Sequence, residues 1–108
     1  MTKRILIIAI TLLLFVPWAY SRPPTEHNYK PLQGYVPDAA TAIKIAVAVW
    51  GPIHGQAQIS QQKPYTAVLV SGIWIVEGTL PKQYTVGGVA VAEIAKDDGR
   101  ILRVSHGK

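Results

Sequence analysis

The chain has 108 residues, 49% of them apolar and only 16% charged, with no cysteine and a formal charge of +5. That length holds one domain and excludes a multidomain enzyme, a long repeat array and a coiled coil. Without cysteine there is no disulfide framework, thiolate zinc site, cysteine nucleophile or lipidated cysteine anchor, so stability rests on packing and hydrogen bonding.

Residues 1–21 read as a cleaved secretory signal. Lys3 and Arg4 form a short basic region, Ile5 to Val16 are apolar except for Thr11, and Ala19-Tyr20-Ser21 fits the small-x-small pattern for cleavage after Ser21. The apolar run falls short of the roughly 20 residues a spanning helix needs, so no stable membrane insertion is expected after cleavage; an uncleaved anchor is the alternative. Removing Lys3 and Arg4 from 11 basic residues leaves nine against six acidic ones. These nine are scattered, without the basic stripe a nucleic-acid partner requires.

Residues 22–36 form an extended, proline-rich lead-in. Arg22-Pro23-Pro24 cannot continue a helix, and Tyr29, Leu32 and Tyr35 are its expected anchors. The folded domain is expected over residues 37–108. Asp38 is a favoured N-cap, and Ala42, Ile43, Ala46, Val47 and Trp50 recur at helical spacing over Ala39 to Trp50. The exposed stripe is thin, chiefly Thr41 and Lys44, so the helix should be largely buried, with Trp50 in the core. Gly51-Pro52 is expected to break or kink it, and Gly55 to close the turn that follows. A polar, glutamine-rich stretch, Gln56 to Gln62, holds Ile59 as its one apolar anchor.

Four strands follow: Pro64 to Val70, Ile73 to Leu80, Val89 to Ala95 and Arg100 to Ser105. Ser71-Gly72 and Lys96-Asp97-Asp98-Gly99 supply the hairpin turns, and Pro81 to Val86 forms a longer loop. The fold class is therefore α+β, one long N-terminal helix packed on a four-stranded antiparallel meander. Alternation puts Trp74 and Val76 on one face and Ile73 and Ile75 on the other, so both faces are apolar. One helix covers only one of them, and the second calls for the lead-in, a partner, or a second copy in a homodimer.

The chemistry-bearing residues form no catalytic, cofactor-binding or metal-binding constellation. His27, His54 and His106 lack metal-ligand spacing, Asp97 and Asp98 belong to a turn, and Gly87-Gly88 lacks the lysine and helix of a phosphate loop, reading instead as a bulge or the start of a strand. His54, just past the helix break, is expected to point outward. A strand-borne Glu77 or Glu93 would need a histidine in a closed pocket to act as an acid or base. The partner-binding candidates are Lys82 and Tyr84, in a loop held between two strands, and His54, Gln56 and Gln58 at the helix break. Loops on rigid frames carry recognition, and tyrosine is enriched at binding hot spots.

The order Ala42-Ile43-x-Ile45-Ala46, Ile53-His54-Gly55, Lys63-Pro64-Tyr65 and Trp74-Ile75-Val76-Glu77-Gly78-Thr79-Leu80-Pro81 resembles the NTF2-fold immunity proteins of bacterial polymorphic toxin systems. Gly87-Gly88-Val89, Asp98-Gly99-Arg100-Ile101-Leu102 and His106-Gly107-Lys108 extend the likeness across residues 37–108. Family members often carry tyrosine where this chain has His54. The resemblance implies a non-enzymatic protein that binds and neutralises a cognate toxin, and the export signal would place it in the periplasm. A protease-inhibitor or propeptide-like module, which the Asp-Gly-Arg-Ile-Leu hairpin also resembles, and a small NTF2-like enzyme are the alternatives.

Overall fold

A computed structural model describes residues 28–108; the expected signal and the first residues of the lead-in, His27 included, lie outside the described residues. In chain order the elements are α1 (Ala39–His54), α2 (Gln56–Ser60), β1 (Thr66–Val70), β2 (Ile73–Glu77), β3 (Ala90–Ala95) and β4 (Ile101–His106). The strands form one antiparallel sheet in the order β1-β2-β3-β4, and α1 packs across one face of it. The expected α+β meander is what the chain forms, although α1, at 16 residues, is not especially long.

Asp38 opens α1 as its N-cap. Its backbone is extended and its carboxylate accepts the Thr41 amide hydrogen at 2.8 Å, which satisfies one of the orphan donors of the first turn. Ala42, Ala46 and Trp50, spaced by four, are fully buried, while Ala40, Lys44, Ala48 and Pro52 form the solvent stripe. That stripe is broader than the sequence suggests, and only one side of α1 is deeply buried. The helix also runs on through Pro52 to His54 rather than breaking at Gly51. Pro52 and Ala48 are both exposed, so the carbonyl that loses its partner to proline lies on the wet side. Gly55 ends the helix by donating its amide hydrogen to the Gly51 carbonyl at 2.8 Å. The glutamine-rich stretch then coils into α2, anchored by the fully buried Ile59.

The sheet register fixes the two faces. Ala67, Trp74, Val76, Ala90, Ala92, Ile94 and Val104 face α1. Both the helix and the sheet offer alanines at the centre of this layer, so they approach closely, and Trp50 and Trp74 fill the space at either end. The Trp74 indole N–H donates to the Val36 carbonyl at 2.8 Å, and the Trp50 ring lies 5.8 Å from that of Tyr65. On the opposite face Val68 pairs with Ile75, and Val70 with Ile73. A register shift between Glu93 and Ile94 leaves Leu102 as the extra residue of a bulge in β4.

The lead-in is held differently from the sequence expectation. Tyr29 and Leu32 are exposed and Tyr35 is only partly covered. Its anchors are the buried Val36 and the backbone: the amides of Tyr35 and Val36 donate to the carbonyls of Asp97 and Lys96 at 2.9 and 3.1 Å. The Lys30–Asp97 ion pair, at 2.7 Å, closes the same junction. The described lead-in therefore covers the hairpin ends of the sheet and not its second face.

Candidate functional site

α1 starts at the hairpin end of the sheet and finishes at the other, where the long loop, α2 and the end of β4 converge. There Gln62, the one buried polar residue among those described, organises the packing. The Ala90 amide donates to Gln62 Oε1 at 2.9 Å, which turns the amide nitrogen toward His106 Nε2, also at 2.9 Å. The histidine nitrogen must then accept, so its proton resides on Nδ1, which lies 2.6 Å from the Gly107 carbonyl. The Gln62 backbone carbonyl takes the Thr79 amide hydrogen at 2.7 Å, and the Thr79 hydroxyl donates to Pro64 at 2.6 Å. One side chain thus joins α2, β3 and β4, and Gly78 leaves the space it occupies.

Beside this floor lies a cleft of about 420 Å³. Gln58, Gln61 and Gln62 line it from α2 and its continuation, Leu80, Pro81, Tyr84 and Val86 from the loop, and His106, Gly107 and Lys108 from the chain end. Gly88 and Gly107 cross so closely that a Cβ on either would collide with the other's backbone. Gly87-Gly88, expected to be a bulge or the start of a strand, is thus a close crossing at the wall of the cleft.

The sequence candidates are only partly brought together here. Tyr84 and Gln58 line the cleft, and Lys82 is exposed on the same loop. Gln56 is turned away, its amide lying over Gly51, where a Cβ would fall 2.6 Å from the amide nitrogen. His54 does not point outward. Its ring is half-buried edge-on against His106 with centroids 5.0 Å apart, because α1 carries it past Pro52 into the sheet end. Its Nε2 is buried without a hydrogen-bond partner, and burial, followed by the neighbouring His106, pushes its pKa below the ordinary histidine value.

Gln62 and His106 escape the sequence reading. Period-two alternation from the inward-facing Val104 does place His106 on the inner face, once β4 is carried one residue beyond Ser105. No local pattern marks Gln62, whose role depends on partners 28 and 44 residues away. Glu77 and Glu93 lie on the opposite face of the sheet, where Glu93 accepts from Arg103 at 2.9 Å, so neither meets a histidine of the cleft. Among the described residues no three side chains form a metal-binding group, and no helix is long and apolar enough to cross a membrane.

Residues 41–108 match the family model described as NTF2 fold immunity protein. The chain belongs to that family. The matched span takes in most of α1, the whole meander and every residue lining the cleft. Two curated relatives come from Escherichia coli (strain K12), both described as uncharacterized. YhhH is 36% identical over 77 residues, 71% of this chain and 61% of its own length. YbbC is 33% identical over 55 residues, 51% of this chain and 45% of its own length. The chain therefore spans less than two thirds of either relative. No solved structure matches it.

Proposed function

We propose that this protein is the immunity partner of a secreted bacterial toxin of a polymorphic toxin system, which it neutralises by binding rather than by catalysis, and that it does so in the periplasm. The family match over residues 41–108 carries the reading. The separation of Glu77 and Glu93 from His54 and His106 supports a binding role over an acid–base one. The periplasmic assignment draws on Lys3, Arg4, the apolar run from Ile5 to Val16 and the Ala19-Tyr20-Ser21 motif. A toxin that attacks the cell wall or membrane is the target that suits that compartment.

The test is co-expression with a secreted toxin whose gene is found to adjoin this one. Cells making the protein should survive periplasmic delivery of that toxin, the two should co-purify from the periplasm, and the purified protein should begin at Arg22. Death at the same rate with and without the protein would overturn the immunity assignment. An intact Met1 in the membrane fraction would overturn the export step alone.

A further inference from the structure

We propose that the cleft beneath Tyr84 is the docking site for an acidic loop of the toxin, a segment that presents Asp or Glu next to an apolar side chain. This rests on the immunity reading and adds the chemistry of the partner and the place where it binds.

Charge is distributed unevenly over the described residues. Asp97 and Asp98 sit in the β3–β4 turn and Asp38 at the start of α1, all at the far end of the sheet, while Glu77 and Glu93 lie on its outer face. No carboxylate side chain lines the cleft. Three lysines belong to the segments that build it: Lys108 is in the lining, Lys82 lies in the chain between the lining residues Pro81 and Tyr84, and Lys63 follows Gln62. The ion pairs among the described residues engage Lys30, Arg100 and Arg103 and leave these three lysines out. An excess of basic side chains around a concavity concentrates acidic side chains there and speeds their arrival.

The cleft walls complete the match. Gln58 and Gln61 are exposed and bring side-chain N–H donors suited to a carboxylate. Tyr84 is 53% exposed and Val86 81% exposed at the mouth, an apolar rim that gains by being covered. The floor is already ordered by the Gln62–His106 network and the Gly88–Gly107 crossing, so little conformational entropy is lost when a loop enters.

The experiment compares the protein with its K82E/K108E variant in calorimetric titrations against the catalytically inactivated neighbouring toxin, at low and high salt. Both residues are exposed, so the melting temperature should hold; if it does not, K82A/K108A gives the same readout. The expected result is at least tenfold weaker binding by the variant, and wild-type binding that weakens as salt rises. Unchanged affinity together with salt-independent wild-type binding would overturn the inference and leave the immunity reading standing. If the wild-type protein does not bind that toxin, the immunity reading fails and the cleft is decided by amide NMR. A short Asp/Glu–Phe peptide, but not its Asn/Gln counterpart, should then shift Gly88, Tyr84 and Gly107. Equal shifts, no shifts, or stronger shifts with a single-stranded DNA oligonucleotide would overturn it.

Discussion

His54 shows how one half-buried ring couples the site to pH. Its Nε2 has no hydrogen-bond partner, and the groups packed about it, His106 and through it Gln62, include no carboxylate to stabilise an imidazolium. Burial and then His106 lower its pKa in the folded protein. The unfolded chain, where histidine titrates near 6.5, therefore binds more protons at mildly acidic pH. This contribution to stability is whole above the unfolded value and is lost as pH falls through it toward the lower folded value. The urea midpoint should drop between pH 7.5 and pH 5.5, and H54F should make it less dependent on pH. A wild-type midpoint that is flat across that range would contradict the assignment. At the same scale, G88A should cost more than an ordinary surface change, since its methyl meets the Gly107 backbone rather than a yielding side chain. Thermal melts of G88A beside T85A, an exposed residue of the same loop, read the difference.

Among the elements, β2 contributes Trp74 to the core. Trp74 is 8% exposed, and its N–H reaches across to the lead-in carbonyl of Val36, so one side chain ties sheet and lead-in together. Truncation to alanine should cost roughly 3–5 kcal/mol, most of the stability of a domain whose total is on the order of 5–15 kcal/mol. W74F keeps most of the volume and leaves the Val36 carbonyl without its donor, so it should cost about 1–3 kcal/mol. Equilibrium unfolding in urea separates the two, and similar midpoints for W74F and W74A would show that volume is not what matters there. The strands were legible in advance because runs rich in branched and aromatic residues are bounded by turn signals, although β2 ends at Glu77 and not at Leu80. Ser71-Gly72, with positive φ at both residues, closes the β1–β2 hairpin where the sequence places it. The ends of α1 were harder. Asp38 is a local signal and reads correctly, whereas Pro52 reads as a breaker and is tolerated because the helix shows that side to solvent. The five-residue α2 has no periodicity to detect, and it forms because Ile59 has a core to enter. The lead-in misleads for the opposite reason. Its large side chains stay outside while its backbone bonds to Lys96 and Asp97, contacts that depend on a turn sixty residues away and leave no local pattern.

For the whole molecule, the question is which of two surfaces meets a partner. The cleft lies at one end of the sheet, and the outer sheet face is a second exposed surface, with Val68, 58% exposed, at its edge and Val70 beside it. That both sheet faces are apolar was legible from alternation alone; the cleft was not, because it is assembled from α2, a loop and the chain end. Apolar area by itself favours the outer face as an interface. Basic side chains, exposed amides and a pre-ordered floor favour the cleft, and specificity for one toxin draws more on such directional groups than on area. V68T/V70T distinguishes them. Threonine keeps the branched Cβ that suits a strand, and exposed substitutions of this kind typically change stability by no more than about 0.5 kcal/mol, so the fold should persist. If the toxin docks in the cleft, V68T/V70T should protect cells as well as the wild-type protein does, while K82A/Y84A should weaken toxin binding by about 2 kcal/mol, close to thirtyfold, without lowering the melting temperature. Loss of protection by V68T/V70T, with K82A/Y84A still fully protective, would move the interface to the outer sheet face.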